Sequence, residues 1–183
     1  MLPVWYSVDD TGALLCHPHP PQGLHPLGQA LAELQPSTVG QLHQAFRRWL
    51  QAGHAPGPLA PERVWVDGEG RLALRFGLGQ RPHALDPLGL GRALAAWLVL
   101  LDHFVDTPVV IARARLVWTL DELAEALSFT APAFLPSALV GPRPSHWDAV
   151  AHALAHVVGD GPLGGTATGE RHPRLHALSS KAL

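Results

Sequence analysis

Two segments of the chain alternate apolar and other side chains with a period of two. Residues 61–79, PERVWVDGEGRLALRFGLG, do so on both sides of a turn at 67–70. Residues 3–16, PVWYSVDDTGALLC, follow the same scheme around a turn at 9–12. Such alternation, interrupted by a turn that contains glycine and aspartate, is typical of a β-hairpin. The sequence therefore predicts one hairpin near the N-terminus and a second one in the middle of the chain.

Other segments repeat apolar residues every three or four positions, which is typical of helices with a buried face. These segments are 26–35, 39–51, 88–104, 119–129 and 147–158. The segment 88–104 is apolar nearly all round, so we expect it at the centre of the fold. Residues 107–118 are ambiguous, and 131–144 favour a loop with a short helical turn. The pattern predicts an α+β domain that is predominantly α-helical.

Residues suited to cap a helix precede most of these segments. The side-chain oxygen of such a residue accepts a hydrogen bond from a free N–H of the first turn. The candidates are Ser37 or Thr38, Asp86 followed by Pro87, Thr119 with Glu122 as a capping box, and Ser145. From Gly159 onward the sequence is rich in Gly, Thr and Ser. We therefore expect a single domain over 1–158 and a flexible tail over 159–183.

The composition narrows the classes of protein that fit. The 183 residues are 47% hydrophobic and 15% charged, which favours one globular domain. A net charge of −2 argues against binding of nucleic acid, and the longest uncharged apolar run, 93–101, is too short to span a membrane. Cys16 is the only cysteine and the N-terminus lacks a signal-peptide pattern, so we expect a cytoplasmic protein. We predict neither nucleic acid nor a membrane as a partner.

The use of lysine excludes further kinds of chemistry. Lys181 is the only lysine, and arginine supplies the rest of the Lys+Arg total of 13. This bias is typical of a high-GC, bacterial genome. The predicted domain therefore has no lysine that could grip a phosphate or form a Schiff base.

Between residues 38 and 104 the sequence predicts four features in succession. They are a helix, the segment PLAPERVWVD, a hairpin that ends in RFGLG, and a buried helix that starts with DPLGLG. This order resembles the C-terminal lobe of a protein kinase, with its H-R-D-L-K-P-x-N-I-L-V-D loop, its D-F-G-L and its D-x-W-S-L-G helix start. The agreeing positions are Leu59, Pro61, Glu62, Val64, Val66 and Asp67, then Phe76, Gly77 and Leu78, then Asp86, Leu90 and Gly91. The resemblance implies an isolated C-lobe in which Asp86 and Gly91 are structural residues.

The departures from this family's pattern fall on its catalytic residues. The catalytic base aligns with Pro58, the Mg²⁺-binding asparagine with Arg63, and the D-F-G aspartate with Arg75. Mg²⁺ requires oxygen ligands and is repelled by guanidinium groups. Residues 1–37 are too few for a nucleotide-binding lobe, and 80–85 stand in place of a long activation segment. The resemblance thus implies a pseudokinase with no catalytic residue, no cofactor and no metal.

These departures favour a non-catalytic function. We expect a protein-interaction or scaffold module, capable of self-association, whose binding surface consists of Arg63, Trp65, Arg75 and Phe76. The alternative is a regulator that binds a nucleotide or another phosphate ligand without metal, through Arg63 or Arg75. A simpler interpretation also stays open, because many α+β domains contain a hairpin followed by a buried helix, and arginines on hairpins are commonly solvated.

Three other groups of polar residues are candidates for chemistry. Asp102, His103 and Asp106 lie near the C-terminal end of the central helix, where two carboxylates oppose the helix dipole, and would form the centre of a new active site. The other two groups are Asp148, His152 and His156, spaced i, i+4, i+8, and His17, His19 and His25 in a proline-rich segment. We expect both of these groups to be solvated rather than to hold a metal.

Overall fold

The computed structural model describes residues 3–30, 35–77, 79–141 and 146–159. Within these ranges the elements are β1 (Val4–Val8), β2 (Leu14–His17), β3 (His25–Pro26), α1 (Leu27–Ala30), α2 (Pro36–Gln51), β4 (Val64–Val66), β5 (Leu72–Phe76), α3 (Gly89–Asp102), α4 (Thr107–Ala114), α5 (Leu120–Leu127), a 3₁₀ turn (Ser137–Leu139) and α6 (His146–Gly159). The fold is α+β, as predicted, and about 45% of it is helical. No helix in the described ranges is long and apolar enough to cross a membrane.

The strands form one antiparallel sheet in the order β2-β1-β5-β4-β3. Both predicted hairpins are confirmed, since β1 pairs with β2 and β4 pairs with β5. Pairing of β1 with β5 joins the two hairpins and sets Trp5 opposite Arg75. Side chains alternate between the two faces of a strand, so Tyr6 and Leu74 face the helices while Trp5 and Ala73 face the other side. We call these the inner and the outer face.

A proline-rich strap, residues 18–24, connects the two edges of the sheet. It leaves β2 at one edge and enters β3 at the other. The strap is not extended throughout, because the N–H of Leu24 donates to the carbonyl oxygen of Pro21 at 3.2 Å in a turn that contains Gly23, with φ 79°. Leu24 at its end packs on Trp5 and Ala73 in a small outer cluster. The outer face is therefore partly covered by the chain's own N-terminal segment.

The inner face packs on α2, and α3 joins the same hydrophobic core, in which Trp97 stacks on Phe46 with ring centroids 4.3 Å apart. In α3, as predicted, nearly every side chain is buried, and only Leu90 and Arg92 reach the surface. Gly91 lies where α5 crosses this helix. A Cβ atom at position 91 would stand 2.5 Å from Cγ of Glu125. The helices approach closely here because residue 91 has no side chain.

The structure corrects two predicted caps. α2 begins at Pro36, one residue before the first predicted cap, and buried Thr38 instead donates its hydroxyl to the carbonyl oxygen of Gly68 at 3.2 Å. α3 begins at Gly89, and the Asp86 carboxylate accepts the N–H of Leu88 at 3.0 Å in the turn before the helix. The first prediction was wrong because Pro36, whose fixed backbone angle suits the first helical turn, already starts the helix. The second was wrong because Pro87 lies in the turn before α3 and not in the helix.

The capping box at α5 is confirmed. The N–H of Glu122 donates to the Thr119 hydroxyl, and the Glu122 carboxylate accepts the N–H of Thr119 at 2.7 Å. Residues 107–118 contain α4, and the predicted helical turn within 131–144 is the 3₁₀ turn. Of the predicted helix at 26–35, α1 covers the first part and 31–34 lie outside the described residues. Ser145 and the predicted tail from residue 160 onward also lie outside them.

Candidate functional site

Arg63 and Arg75 face each other where the β4–β5 hairpin opens. The N–H of Arg75 donates to the carbonyl oxygen of Arg63 at 2.7 Å. In return, Nε of Arg63 donates to the carbonyl oxygen of Arg75 at 3.1 Å. The strand register thus brings together the two positions that depart from the kinase pattern.

The turn of this hairpin fixes that register. The Asp67 carboxylate accepts the N–H groups of Glu69 and Arg71 at 3.0 and 2.9 Å, and it also accepts a hydrogen bond from the Arg71 side chain. Gly70 has φ 77°, a conformation that suits glycine. Its α-carbon lies against α2, since an added Cβ would stand 2.3 Å from Cβ of Gln41. A shift of the strand register by one residue would therefore break the turn, and it would also move the side chains of the shifted strand to the opposite face of the sheet.

The two guanidinium groups stack on aromatic rings that belong to opposite faces of the sheet. Arg63 lies over Phe76, on the inner side, with Cζ 5.5 Å from the ring centroid. Arg75 lies over Trp5, on the outer side, at 5.9 Å. Burial lowers the pKa of Arg63, and the charge of Arg75 lowers it further, although nearby Glu62 acts in the opposite direction. Both arginines are half-buried, and neither forms a salt bridge within the described residues.

Trp65 lies beside this pair on the outer face. Its ring meets that of Trp5 edge to face, with the centroids 5.5 Å apart, and its indole N–H donates to the carbonyl oxygen of Glu62 at 3.3 Å. The side chain is half-buried rather than fully exposed. The outer face therefore carries an aromatic and cationic surface whose side chains contact one another. We call it the outer platform; it consists of Trp5, Trp65 and Arg75.

Phe76 does not belong to a surface. It is 3% exposed and packs between Tyr6 and Trp49, with ring centroids at 5.4 and 6.3 Å. The sequence predicts Phe76 as part of the binding surface, and the structure corrects this prediction. Phe76 alternates with Arg75 along β5, so only one of the two can face outward.

The segment that matches the kinase catalytic loop lines an apolar groove with a volume of about 380 Å³. Pro58, at the position of the catalytic base, contributes to its wall together with Phe134, which is 47% exposed. The charged residues in its lining are Asp86 and Arg92. Asp86 is exposed; its carboxylate accepts the N–H of Leu88 and its carbonyl oxygen accepts the N–H of Gly89 at 2.8 Å. The side chain of Pro58 has no group that could accept a proton, so it cannot act as a catalytic base.

The predicted cluster at the end of α3 is present in part and gains a member. Asp102 is buried and accepts a hydrogen bond from Nδ1 of His146 at 2.9 Å, while the His103 and His146 rings stack with centroids 4.0 Å apart. Burial lowers the pKa of His103, and the neighbouring His146 lowers it further. Asp106 is instead exposed at the start of α4. The sequence missed His146 because 44 residues separate it from Asp102.

The histidines of the other two predicted groups are exposed or half-buried. Asp148, His152 and His156 are all exposed on α6. His17 is half-buried in β2, with its Nε2 atom 2.8 Å from Oγ of Ser7, whereas His19 and His25 are exposed. Among the described residues, no three His, Cys, Asp or Glu side chains converge in a way that could hold a metal ion.

Comparison with known proteins finds no matching family model, no matching characterised protein and no matching solved structure. The resemblance to a kinase C-terminal lobe therefore rests on the residues and contacts described above, and it stays a prediction.

Proposed function

We propose that this chain is a non-catalytic protein-interaction module, related in design to the C-terminal lobe of a protein kinase. The observation that carries the proposal is the pairing of Arg63 with Arg75 at the open end of the central hairpin. On the kinase pattern these two positions hold the side chains that bind Mg²⁺. Two guanidinium groups do not bind Mg²⁺, but arginine is among the residues that contribute most to protein–protein contacts.

The outer platform is suited to contact a partner. Tryptophan and arginine dominate the binding energy of many interfaces. Here Trp65 and Arg75 both contact the ring of Trp5, so their positions are restrained before a partner arrives. A restrained side chain loses less conformational entropy on binding than a free one. The platform also carries positive charge from Arg75, so we expect it to bind a partner surface with acidic and apolar residues.

Binding of a nucleotide or a free phosphate without metal is the second candidate. It is favoured by the two arginines that form no salt bridge within the described residues. A phosphate gripped by both would however require one arginine to leave its ring, since Arg63 and Arg75 stack on opposite faces. We therefore rank it below binding of a protein.

The test of the first candidate is capture of partners from cells that express the chain, compared between variants. Trp65→Ala combined with Arg75→Asp is expected to abolish capture of partners that the unaltered chain retains. The matched control is Arg92→Gln, because Arg92 also stacks on an aromatic ring, that of Phe129 at 5.6 Å, but lies elsewhere. Equal capture by the double variant would exclude the outer platform as the interface.

A thermal-shift titration separates the two candidates. ATP, ADP, GTP and cyclic nucleotides are added with and without Mg²⁺. A ligand at 100 times its Kd adds about 2.7 kcal/mol of stability, which raises the Tm of a chain of this size by several degrees. A shift that does not require Mg²⁺, and that Arg63→Gln or Arg75→Gln removes, would favour the phosphate ligand. The absence of a shift is expected for the interaction module.

A further inference from the structure

The two edges of the sheet differ in how well they are protected. β3 is two residues long, and its Pro26 has no N–H to donate. β2 has four residues, Leu14–His17, none of them proline, aspartate, glutamate, lysine or arginine. Natural proteins usually shield an edge strand with charged side chains, proline or a covering element, because an open edge pairs with other strands. β2 lacks these devices within its own sequence.

The pairing of β2 with β1 determines which of its main-chain groups are free. The N–H of Asp9 donates to the carbonyl oxygen of Ala13 at 3.0 Å, just before the strand. Hydrogen-bonded and non-bonded pairs alternate along an antiparallel ladder. The main-chain N–H and C=O groups of Leu15 therefore form hydrogen bonds with β1, whereas those of Leu14 and Cys16 point away from β1. In the described part of the chain, these outward groups have no hydrogen-bond partner.

We infer that β2 pairs with β2 of a second copy of this chain, antiparallel and about a two-fold axis at Leu15. In this register Leu14 of each copy faces Cys16 of the other, and every outward N–H and C=O of both residues is satisfied. A two-fold interface requires a surface that complements itself. A short strand edge with outward groups spaced evenly about its centre meets that requirement.

The side chains support the same register. Leu15 is 42% exposed on the outer face, and across the axis it would meet its counterpart in a non-hydrogen-bonded pair with Cα atoms about 4.5 Å apart. The turn with Asp9 and Asp10 would run beside the segment after β2 of the other copy, which carries His19 and no acidic residue, so no like charges meet there. The pairing thus covers an exposed leucine without setting like charges against each other.

The first test measures mass as a function of concentration, by sedimentation equilibrium from about 5 to 500 µM, because short interfaces give weak dimers. The full chain is expected to shift from monomer to dimer. Leu15→Lys is expected to stay monomeric, since two positive charges would meet at the axis. Leu116→Lys is the matched control, because Leu116 is 76% exposed on the surface near α4 and should not affect the dimer. Circular dichroism melts confirm that both variants fold.

The second test examines the register. With Cys16→Ser in the background, Leu15→Cys places two thiols across the axis at a Cα separation that a disulfide can bridge. Oxidation is expected to give a covalent dimer on a non-reducing gel. The native Cys16 pair is diagonal across the axis at roughly 8 Å, beyond the usual limit of about 7 Å, so the unaltered chain should cross-link far less.

Three results would overturn the proposal. The unaltered chain stays monomeric over the whole concentration range, or Leu15→Lys dimerises as the unaltered chain does, or Cys16 cross-links more readily than Leu15→Cys. The outer platform is tested separately. If Trp65→Ala with Arg75→Asp abolishes the dimer while Leu15→Lys preserves it, self-association belongs to the platform and not to the β2 edge.

Discussion

The ring of His43 accepts the indole N–H of Trp97 at its Nδ1 atom, over 3.2 Å, in the middle of the hydrophobic core. Trp118 donates its own indole N–H to the same atom at 3.3 Å. Because Nδ1 accepts two donors, the ring proton lies on Nε2, which donates to the carbonyl oxygen of Val110 at 3.2 Å. One neutral imidazole in α2 thereby joins α3, α4 and the segment that leads into α5.

This arrangement predicts that the protein loses stability in mild acid. Burial lowers the pKa of His43 from 6.5 to about 4, because a charged ring would be desolvated. A pKa that is lower in the folded state means that the stabilisation is fully present above pH 6.5 and is lost as the pH falls toward 4. The expected loss is roughly 3 kcal/mol. Urea unfolding at a series of pH values measures it.

His103 acts in the same direction, since burial also lowers its pKa. Asp9 affects stability in a different pH range. Hydrogen bonds from Thr11 and Ala13 lower the pKa of its carboxyl below 3.8. Its contribution is therefore lost only below the range in which His43 titrates. A stability that stays constant between pH 6.5 and 4 would contradict the assignment of a neutral, buried His43.

Replacement of the ring isolates its contribution. His43→Phe keeps a planar side chain but leaves the indole N–H groups of Trp97 and Trp118 without an acceptor. An unsatisfied buried polar group costs about 1 to 3 kcal/mol, so the variant should be less stable at pH 7 by roughly 2 to 5 kcal/mol. Its stability should also depend less on pH between 6.5 and 4 than that of the unaltered chain. An unchanged pH dependence would mean that other groups cause it.

His43 also illustrates what the sequence can and cannot predict. The periodicity of residues 39–51 predicted α2, since apolar side chains recur there at helical spacing. His43 is fully buried within that helix, although its residue type alone suggests a half-exposed side chain. Its partners come from positions 54 to 75 residues away, and no local pattern encodes them. Local patterns predict elements, whereas satisfaction of buried polar groups depends on tertiary contacts.

In the candidate site, too, local patterns predict some features, whereas others depend on tertiary contacts. The hairpin pattern predicted β4 and β5, but a turn at 67–70 would set residue 63 opposite 74, and the observed pairing of Val66 with Leu72 shifts this register by one residue. Nor was the pattern sufficient to predict that β1 would join the hairpin and bring Trp5 beneath Arg75, because pairing of β1 with β5 spans more than sixty residues. The inward orientation of Phe76 did follow from alternation along β5 and was predictable. The covering of the outer face by the strap depended on the strand order, which no local pattern specifies.

Two turn glycines with the same backbone conformation should respond differently to alanine. Gly70 and Gly12 have φ 77° and 85°, but a Cβ at position 70 would stand 2.3 Å from Gln41, whereas nothing lies within 4 Å at position 12. Gly12→Ala pays only the conformational penalty of about 1 to 2 kcal/mol. Gly70→Ala should lose about 3 kcal/mol or more, since α2 must also move. Chemical denaturation compares the two, and equal losses would contradict the close contact between the turn and α2.

The last prediction concerns the contact between α3 and α5. An alanine in a helix is ordinarily more stable than a glycine by up to about 1 kcal/mol. Gly40→Ala in α2 should show this gain, because its nearest neighbour, Cδ of Arg113, lies 3.8 Å from an added Cβ. Gly91→Ala should instead destabilise the protein by about 1 to 3 kcal/mol, since the same Cβ would overlap Glu125.

Removal of the overlapping side chain provides the control for Gly91. Glu125→Ala alone should change stability little, because Glu125 is only half-buried. Combined with Gly91→Ala it should recover most of the loss, so that the two changes are non-additive by about 1 kcal/mol or more. Thermal or urea unfolding of the four chains measures this coupling energy. Additive effects would mean that Gly91→Ala acts on α3 itself, and the closeness of α3 to α5 would then not depend on the glycine that the kinase pattern predicts there.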